Sequence, residues 1–172
     1  MSVIYTVGYE GTDIDRFVET LKAVGVRRLA DVRAVAVSRK KGFSKRKLAE
    51  RLEAEGIEYL HLIDLGDPKP GREAARAGRH EEFVKIYSEH LATDKAQAAL
   101  SRLVECVAEE ATCLLCFERD PKTCHRLIVA DSVIQSLGWR MFHIFADEPE
   151  KYVRHAERVP RFYPRKGLAA AE

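Results

Sequence analysis

The sequence VIYTVGYEGTDIDRFVETLKAVG, residues 3–25, contains a strand pattern followed at once by a helix pattern. Residues 3–8 are a short apolar, β-branched run that ends in glycine, which is typical of a buried strand. Over residues 14–24 apolar side chains recur at helical spacing, and Gly25 follows as a helix stop. This stretch therefore predicts one strand–helix unit at the beginning of the fold.

The alternation of strand and helix patterns continues along the chain. Four more apolar runs predict strands at residues 28–34, 58–63, 112–118 and 140–145. Helix patterns at residues 44–56, 80–91, 94–110 and 127–138 separate most of them. Such alternation predicts an α/β three-layer sandwich, with a mostly parallel five-stranded sheet and helices on both faces. We expect the strand order 3-2-1-4-5, which makes the first and fourth strands neighbours.

Two segments do not follow the alternating pattern. Residues 64–80 are rich in glycine, proline and charge, which predicts a long loop that can act as a lid. Residues 146–172 contain several prolines and aromatic side chains. We expect a single α/β domain over residues 1–145 and an irregular C-terminal tail over residues 146–172 that packs on the domain or extends from it.

Composition restricts the classes of function. The net charge is only +2, so nucleic-acid binding has to rest on local patches. No apolar run is long enough to span a membrane, and the first residues do not resemble a signal peptide. All four cysteines lie between Cys106 and Cys124 and do not form a disulfide framework pattern. We expect a cytoplasmic protein with no membrane partner, and the sequence does not predict its oligomeric state.

The segment LLCFERDPKTCHR, residues 114–126, carries the strongest chemical signal. Asp120 and Pro121 are good helix-start residues, so Cys124 lies in or next to the first turn of a helix. Backbone amides and the helix dipole favour a thiolate there, and His125 and Arg126 can add positive charge. We interpret Cys124 as a candidate nucleophile; the alternative is a structural cysteine at a helix start.

Neighbouring residues complete the candidate catalytic group. Glu118, at a strand end beside Cys116, can act as a general acid or base. Cys116, Cys124 and His125 also form an alternative metal-binding set for zinc or iron, with His143 or His61 as a fourth ligand. The spacing of these residues is unusual for a metal site. We therefore favour the thiolate and predict no cofactor and no metal.

The basic segment SRKKGFSKRK, residues 38–47, has six cations in ten residues and no acid. Its last three cations fall in a predicted first helical turn, where they oppose the helix dipole. An anion bound at this helix start would offset that cost. Phe43 can add a surface for stacking. Since Arg33, Ser38 and Arg39 follow the end of the second strand, we expect an anionic ligand at the same edge of the sheet as Cys124.

Several segments together resemble domain-of-unknown-function family 488. They are DVRAVAVSRKKGFSKRKL, YLHLIDLG and LLCFERDPKTCHRLIVAD, and the resemblance extends over most of the chain. It implies a compact α/β domain in a family without an established reaction. The resemblance marks as motif positions Asp31, Arg33, Ser38, Arg39, Phe43, Ser44, Tyr59, His61, Gly66, Cys116, Glu118, Cys124, His125 and Arg126. The chain departs from the family pattern at Ala36, at the GYEG segment of residues 8–11, and at Asp67.

These observations lead to three hypotheses. The first is an enzyme that acts on an anionic, phosphate-bearing small molecule or nucleic-acid fragment, with Cys124, Glu118, Cys116 and His125 as its catalytic residues. In that hypothesis the anion or substrate is bound by Arg126, Arg33, Arg39, Ser38, Asp31, Tyr59 and His61. Asp31 orients Arg33 rather than reacting. The second is a nucleic-acid-binding module that uses the basic segment. The third is a metal-binding protein.

Overall fold

The computed structural model describes residues 2–164 and contains one five-stranded parallel sheet. The strands are β1 (Val3–Gly8), β2 (Arg28–Asp31), β3 (Glu58–His61), β4 (Thr112–Cys116) and β5 (Arg140–Phe145). The α-helices are α1 (Ile14–Val24), α2 (Lys45–Glu53), α3 (Lys69–Arg76), α4 (His80–Leu91), α5 (Asp94–Glu109), α6 (His125–Leu137) and α7 (Pro149–Arg154). The predicted α/β class, with a parallel five-stranded sheet, is confirmed. None of the helices described here is long and apolar enough to cross a membrane.

The order of the strands is β3-β2-β4-β1-β5, which differs from the expected order only in the exchange of β1 and β4. The two strands are neighbours, as predicted, with Gly8 paired to Cys116. The connection through α1 therefore passes over β4 before it reaches β2. Every residue of β1 and β4 is buried. Since uniformly buried strands carry the same apolar pattern, the sequence does not show which of them lies beside β2.

The core has two halves, one on each face of the sheet. Successive residues of β1 alternate between them: Tyr5 belongs to the half covered by α1 and α2, and Ile4 belongs to the half covered by α4, α5 and α6. This division follows from the two-residue period of a strand. Each fully buried leucine, such as Leu21 or Leu103, contributes about 1.5–3 kcal/mol through removal from water.

Local signals in the sequence set the ends of α1. Asp13 precedes the helix with an extended backbone, and its carboxylate accepts a hydrogen bond of 2.9 Å from the Arg16 N–H. Gly25 follows the helix with φ of 86°, in the left-handed region that favours glycine. These two residues explain why the predicted boundaries of this helix agree with the structure.

The predicted long loop at residues 64–80 is wrong, because this segment contains α3. Pro70 lies in the first turn of that helix, where the missing N–H costs nothing. Gly71 lets the helix lie close to Asp67: a Cβ atom there would lie 2.0 Å from Asp67 Oδ1, so that carboxylate would have to move. The residues that suggested a loop are thus accommodated at the beginning of a helix.

The tail, predicted to be irregular, contains α7 and a 3₁₀ turn at Ala156–Arg158. Tyr152 of α7 is buried, and its hydroxyl accepts a hydrogen bond of 2.7 Å from the Phe145 N–H at the end of β5. This contact attaches the segment to the edge of the sheet. Residues 165–172, the last part of the predicted tail, lie outside the described residues.

Candidate functional site

The candidate site lies at the carboxyl edge of the sheet, where the loops after β2 and β4 meet. Strand register aligns Asp31 with Leu115 and Gly8 with Cys116, so the ends of β1, β2 and β4 lie side by side. Ligand sites in parallel α/β sheets are found beyond this edge. The side chains that the sequence singled out approach one another from these loops.

Cys124 lies immediately before α6, and a local turn places it there. Asp120 accepts a 2.9 Å hydrogen bond from the Lys122 N–H, and Pro121 begins the 3₁₀ turn that ends at Cys124. Cys124 itself has an extended backbone and is the N-cap residue of α6. The side chain is buried, with only 3% of the residue exposed. The residue therefore lies at the positive end of the α6 dipole, and its side chain makes no capping hydrogen bond to the first turn.

His125 places a ring nitrogen between two sulfur atoms. Its Nε2 lies 2.7 Å from the Val32 carbonyl oxygen. Because a carbonyl only accepts hydrogen bonds, Nε2 carries a proton, and in the neutral ring Nδ1 is then a free acceptor. This Nδ1 lies 3.9 Å from Cys124 Sγ and 3.8 Å from Cys116 Sγ. We call Cys116, Cys124 and His125 the thiol cluster.

The groups of the thiol cluster shift one another's protonation. Burial alone would raise the pKa of the Cys124 thiol, but hydrogen bonding with Cys116 and the charge of His125 outweigh it, so that pKa lies well below its ordinary value. The hydrogen bond with Cys124, together with burial, raises the pKa of Cys116 well above its ordinary value. Burial lowers the pKa of His125, but interaction with the Cys124 thiolate more than compensates and raises it. The arrangement therefore favours a thiolate at Cys124 and a neutral thiol at Cys116.

Glu118 borders the thiol cluster from the loop after β4. Burial, followed by the charge of Cys124, raises the pKa of its carboxyl to about 7. Among the described residues, its Oε2 atom is buried without a hydrogen-bond partner. The loop is close enough because β1 ends in glycine: a Cβ atom on Gly8 would lie 1.8 Å from the Glu118 carbonyl oxygen. Glu118 is thus a carboxyl group that can gain or lose a proton near neutral pH.

Asp67 is a second ionisable group beside the thiol cluster, after Glu118, and sequence reasoning did not identify it as a site residue. It is 4% exposed, and burial raises the pKa of its carboxyl to about 6. Within residues 2–164 its Oδ1 atom has no hydrogen-bond partner. The charges of His125 and Cys124 both act on this carboxyl. The only signal in the sequence was that Asp67 replaces a residue the family pattern leads one to expect as glycine.

Arg126, the second residue of α6, buries its side chain against the loop after β4. It is 1% exposed. Its guanidinium donates hydrogen bonds of 2.6 Å to the Glu118 carbonyl oxygen and 3.2 Å to the Arg119 carbonyl oxygen. Arg126 therefore fixes the backbone that carries Glu118, and these contacts use two of the nitrogens with which we expected it to bind an anion.

Asp31, Arg33 and Tyr59 form a second buried group, which we call the Asp31 network. Arg33 donates to both carboxylate oxygens of Asp31, at 2.9 and 2.6 Å, and Tyr59 donates its hydroxyl to the same carboxylate at 2.6 Å. A remaining Arg33 nitrogen donates to Tyr9 Oη and to the Phe43 carbonyl oxygen. Each guanidinium nitrogen of Arg33 is thus bound within the protein. Asp31 orients Arg33, and the network connects the β2 loop to the basic segment.

The other predicted binding residues lie around the Asp31 network rather than at the thiols. His61 is half-buried, and its Nε2 lies 2.9 Å from the Arg33 carbonyl oxygen. Ser38 donates its N–H to Ser44 Oγ at 3.0 Å, which shapes the turn of the basic segment. Arg39 is exposed on that segment. The structure therefore brings the predicted catalytic residues together. These predicted anion-binding residues lie around the Asp31 network and the basic segment instead.

Phe43 does not provide the stacking surface that the sequence suggested. It is fully buried and stacks on Tyr9 with ring centroids 4.5 Å apart, while Phe17 contacts its edge at 5.2 Å. The aromatic ring thus anchors the basic segment to the core. Its cations, rather than its aromatic side chain, face solvent.

The donor atoms of the thiol cluster are also arranged so that they can hold a metal ion. The two sulfurs and His125 Nδ1 all lie within 4.8 Å of one another. Zinc–sulfur bonds of about 2.3 Å and zinc–nitrogen bonds of about 2.0 Å fit such a spacing. His143, an expected fourth ligand, instead contacts Thr6 Oγ1 at 2.6 Å, and His61 contacts the Arg33 backbone. Three ligands from the protein would leave a fourth position open.

The fold and site define a parallel α/β protein with a buried Cys–Cys–His cluster at the carboxyl edge of its sheet. The family model described as "Domain of unknown function DUF488" matches residues 13–133. The chain belongs to this family, as the sequence motifs suggested. Comparisons with curated proteins and with solved structures gave no match.

Proposed function

We propose that this protein is an enzyme in which the Cys124 thiolate is the nucleophile in a covalent step on an anionic, phosphate-bearing substrate. One observation carries the proposal: the Val32 carbonyl fixes His125 so that Nδ1 faces the Cys124 sulfur. A nucleophilic cysteine needs an adjacent base that a third group orients. The position of Cys124 before α6 supports the same role, because the helix dipole stabilises the thiolate.

Each neighbour of Cys124 has a chemical role in this proposal. His125 takes the proton of the thiol and holds it as an imidazolium while the sulfur attacks. Glu118, whose carboxyl has a pKa of about 7, donates a proton to the leaving group and recovers it afterwards. Arg126 positions Glu118 through the backbone. The reaction thus uses one thiolate, one base and one acid from a single loop-and-helix segment.

The basic segment supports an anionic substrate. It is attached at the carboxyl edge through Phe43, whose carbonyl accepts from Arg33 at 2.8 Å, and through Lys40, which donates to the Tyr9 carbonyl at 3.2 Å. Its outward-facing cations are exposed at Arg39, Lys41, Lys45, Arg46 and Lys47. Arg33 is bound internally at every guanidinium nitrogen, and Arg126 is fully buried with two of its three nitrogens bound to backbone carbonyls. We therefore assign contact with the anion to these exposed cations instead.

Site-specific alkylation of the native full-length chain tests the nucleophile. Iodoacetamide at pH 7, followed by peptide mass spectrometry, should modify Cys124 faster than Cys106. Cys106 is a matched control because it is more exposed, and burial raises the pKa of its thiol. The reverse order, with Cys106 modified and Cys124 untouched, would contradict the proposal, since an enzyme must admit its substrate to the sulfur.

A protection arm of the same experiment tests the anion. Pyrophosphate and adenosine monophosphate are the probes, and each should slow alkylation of Cys124. Replacement of Arg39, Lys41 and Lys45 by alanine should remove this protection while the rate without a probe is unchanged. Protection should also weaken as salt rises. Equal protection of the variant and the original chain would remove the anion-binding role of the segment.

Metal analysis provides a further check on the same preparation. Purified protein should contain no stoichiometric zinc or iron if Cys124 acts as a free thiolate. One tightly held equivalent of metal, lost in Cys124→Ser and retained in Cys106→Ser, would instead assign the thiol cluster to metal binding. That result would overturn the nucleophile proposal.

A further inference from the structure

The thiol cluster contains a second sulfur that the proposed nucleophilic step does not use. Cys116 ends β4 and Cys124 precedes α6, so they belong to different elements, and both are free cysteines. A short loop of residues 117–123 joins them and brings the two sulfurs within 4.8 Å of each other. A disulfide needs the sulfurs about 2 Å apart, so a modest movement of this loop would close one.

The two cysteines differ in the way that a disulfide-forming pair requires. Cys124 has the helix N-terminus and His125 beside it, whereas Cys116 lies at a strand end next to the Glu118 carboxyl. A thiolate reacts first with an oxidant, and a neighbouring thiol then resolves the product. The assignment of Cys124 as the first to react rests on the function proposed above.

Burial of the pair restricts the oxidant by size. Cys124 is 3% exposed and Cys116 is 6% exposed. Hydrogen peroxide is close to water in size, so it needs less room to reach a buried sulfur than a larger electrophile does. The polar surroundings of the sulfurs, with unpaired carboxylate oxygens of Glu118 and Asp67 in the described structure, suit such a small hydrogen-bonding molecule.

We propose that Cys116 is the resolving thiol of a peroxide-reducing cycle in which Cys124 is oxidised first and a Cys116–Cys124 disulfide forms. In the first step the Cys124 thiolate attacks one oxygen of the peroxide and the O–O bond breaks. Cys124 becomes a sulfenic acid, and the departing hydroxide takes the proton of the Glu118 carboxyl to become water. Sulfur loses two electrons, which the peroxide gains.

In the second step Glu118, now a carboxylate, accepts the proton of the Cys116 thiol, and the Cys116 sulfur attacks the sulfenic sulfur. The S–S bond forms, the S–O bond breaks, and the departing hydroxide takes that proton back from Glu118 to leave as water. Cys124 and Cys116 both influence the pKa of the Glu118 carboxyl, and one of its oxygens is buried without a partner in the described structure, which leaves it free for both transfers. Two equivalents of a low-molecular-weight thiol then reduce the disulfide and leave as their own disulfide; one of their protons returns to Cys116 and the other to Glu118, and Cys124 is again a thiolate.

Peroxide treatment of the reduced, full-length chain tests this cycle. After acid quenching and digestion, mass spectrometry should find a peptide with Cys116 linked to Cys124. Cys106→Ser, the matched control, should give the same linked peptide. Cys116→Ser should instead accumulate sulfenic acid on Cys124, trapped by dimedone, and then sulfinic acid. With dithiothreitol as reductant, peroxide consumption should fall at least tenfold in Cys116→Ser and in Cys124→Ser.

The outcomes separate this inference from the proposed function. Oxidation of Cys124 to sulfinic acid in the original chain, with Cys116 still a free thiol, would overturn the resolving role and leave the nucleophile intact. Absence of any peroxide reaction at Cys124, in a chain where Cys106 reacts, would overturn both. Circular dichroism of each variant distinguishes loss of the thiol from loss of the fold.

Discussion

Two buried polar groups lie at the carboxyl edge of this sheet, and they differ in how completely their hydrogen bonds are satisfied. In the Asp31 network, each guanidinium nitrogen of Arg33 has an acceptor, and both oxygens of Asp31 have donors. Beside the thiol cluster, the carboxylates of Glu118 and Asp67 each have a buried oxygen without a partner in the described part of the chain. The charged atoms of the Asp31 network are therefore all hydrogen-bonded, whereas two carboxylate oxygens beside the thiol cluster are not.

The difference indicates different roles. A closed buried ion pair keeps its partners charged: burial alone would lower the pKa of Arg33, but its bonds to Asp31 raise it above the ordinary value. An unsatisfied buried carboxyl costs stability, which folded proteins accept mainly where chemistry or a ligand requires it. We therefore interpret the Asp31 network as the support of the loops and the thiol cluster as the reactive part. The predictions below test this division.

The largest effect on stability should follow from breaking the ion pair between Arg33 and Asp31. Arg33→Met leaves the Asp31 carboxylate buried and without its ion pair, which should lower the free energy of unfolding by about 3–5 kcal/mol. Urea denaturation monitored by circular dichroism measures the loss. Arg39→Met, at an exposed position of the basic segment, is the control and should change stability by about 0.5 kcal/mol or less. Equal effects of the two substitutions would refute the structural role of the network.

A smaller loss should follow from removing one hydroxyl of the same network. Tyr59→Phe deletes the 2.6 Å hydrogen bond to the Asp31 carboxylate. Because the acceptor is charged, the free energy of unfolding should fall by about 1.5–3 kcal/mol. The same urea titration applies, and the alkylation rate of Cys124 should stay the same. A stable Tyr59→Phe variant with slower Cys124 alkylation would place Tyr59 in the reactive group instead.

A third effect concerns the pH dependence of stability and comes from the Glu118 carboxyl beside the thiol cluster. The folded chain holds the Glu118 proton up to about pH 7, whereas an exposed glutamate releases it near 4.5. Between these values the folded state binds more protons, so stability from this group is complete below pH 4.5 and is lost as the pH rises through 7. Relative to Glu118→Gln, the original chain should therefore lose stability over this range, on the order of 1–3 kcal/mol.

Urea titrations at several pH values measure that difference. Asp67 shifts stability in the same direction, but it is present in both chains and cancels in the comparison. Arg119→Gln changes an exposed residue of the same loop and is the control. Its free energy of unfolding should change with pH in parallel with that of the original chain. Parallel curves for Glu118→Gln and the original chain would show that the Glu118 carboxyl is not held neutral.

The sequence predicted the parts of this site that lie close together along the chain. Cys116, Glu118, Cys124 and His125 fall in one short motif, and helix-start signals located Cys124 correctly beside α6. The fold class followed from strand and helix alternation. Asp67 comes from another segment, and only the packing around α3 brings it to the thiols, so no local pattern reveals it.

Charged residues show the complementary limit of sequence reasoning. Arg33 and Arg126 have the residue type of an anion-binding group, and their partners are carbonyl and carboxylate oxygens supplied by folding. A sequence shows that a side chain carries charge but not which acceptors surround it. The exchange of β1 and β4 has a similar origin, since both are uniformly buried and pattern alone does not order them.

The central claim is that His125 keeps Cys124 as a thiolate at neutral pH. The far-ultraviolet absorbance of thiolates tests this claim, and the measurement does not require a reagent to reach the sulfur. The difference in absorbance between the original chain and Cys124→Ser should be present well below pH 9, the ordinary cysteine pKa. It should move to higher pH in His125→Asn, while Cys106→Ser behaves as the original chain. A difference that appears only at pH 9 or above in the original chain would contradict the account.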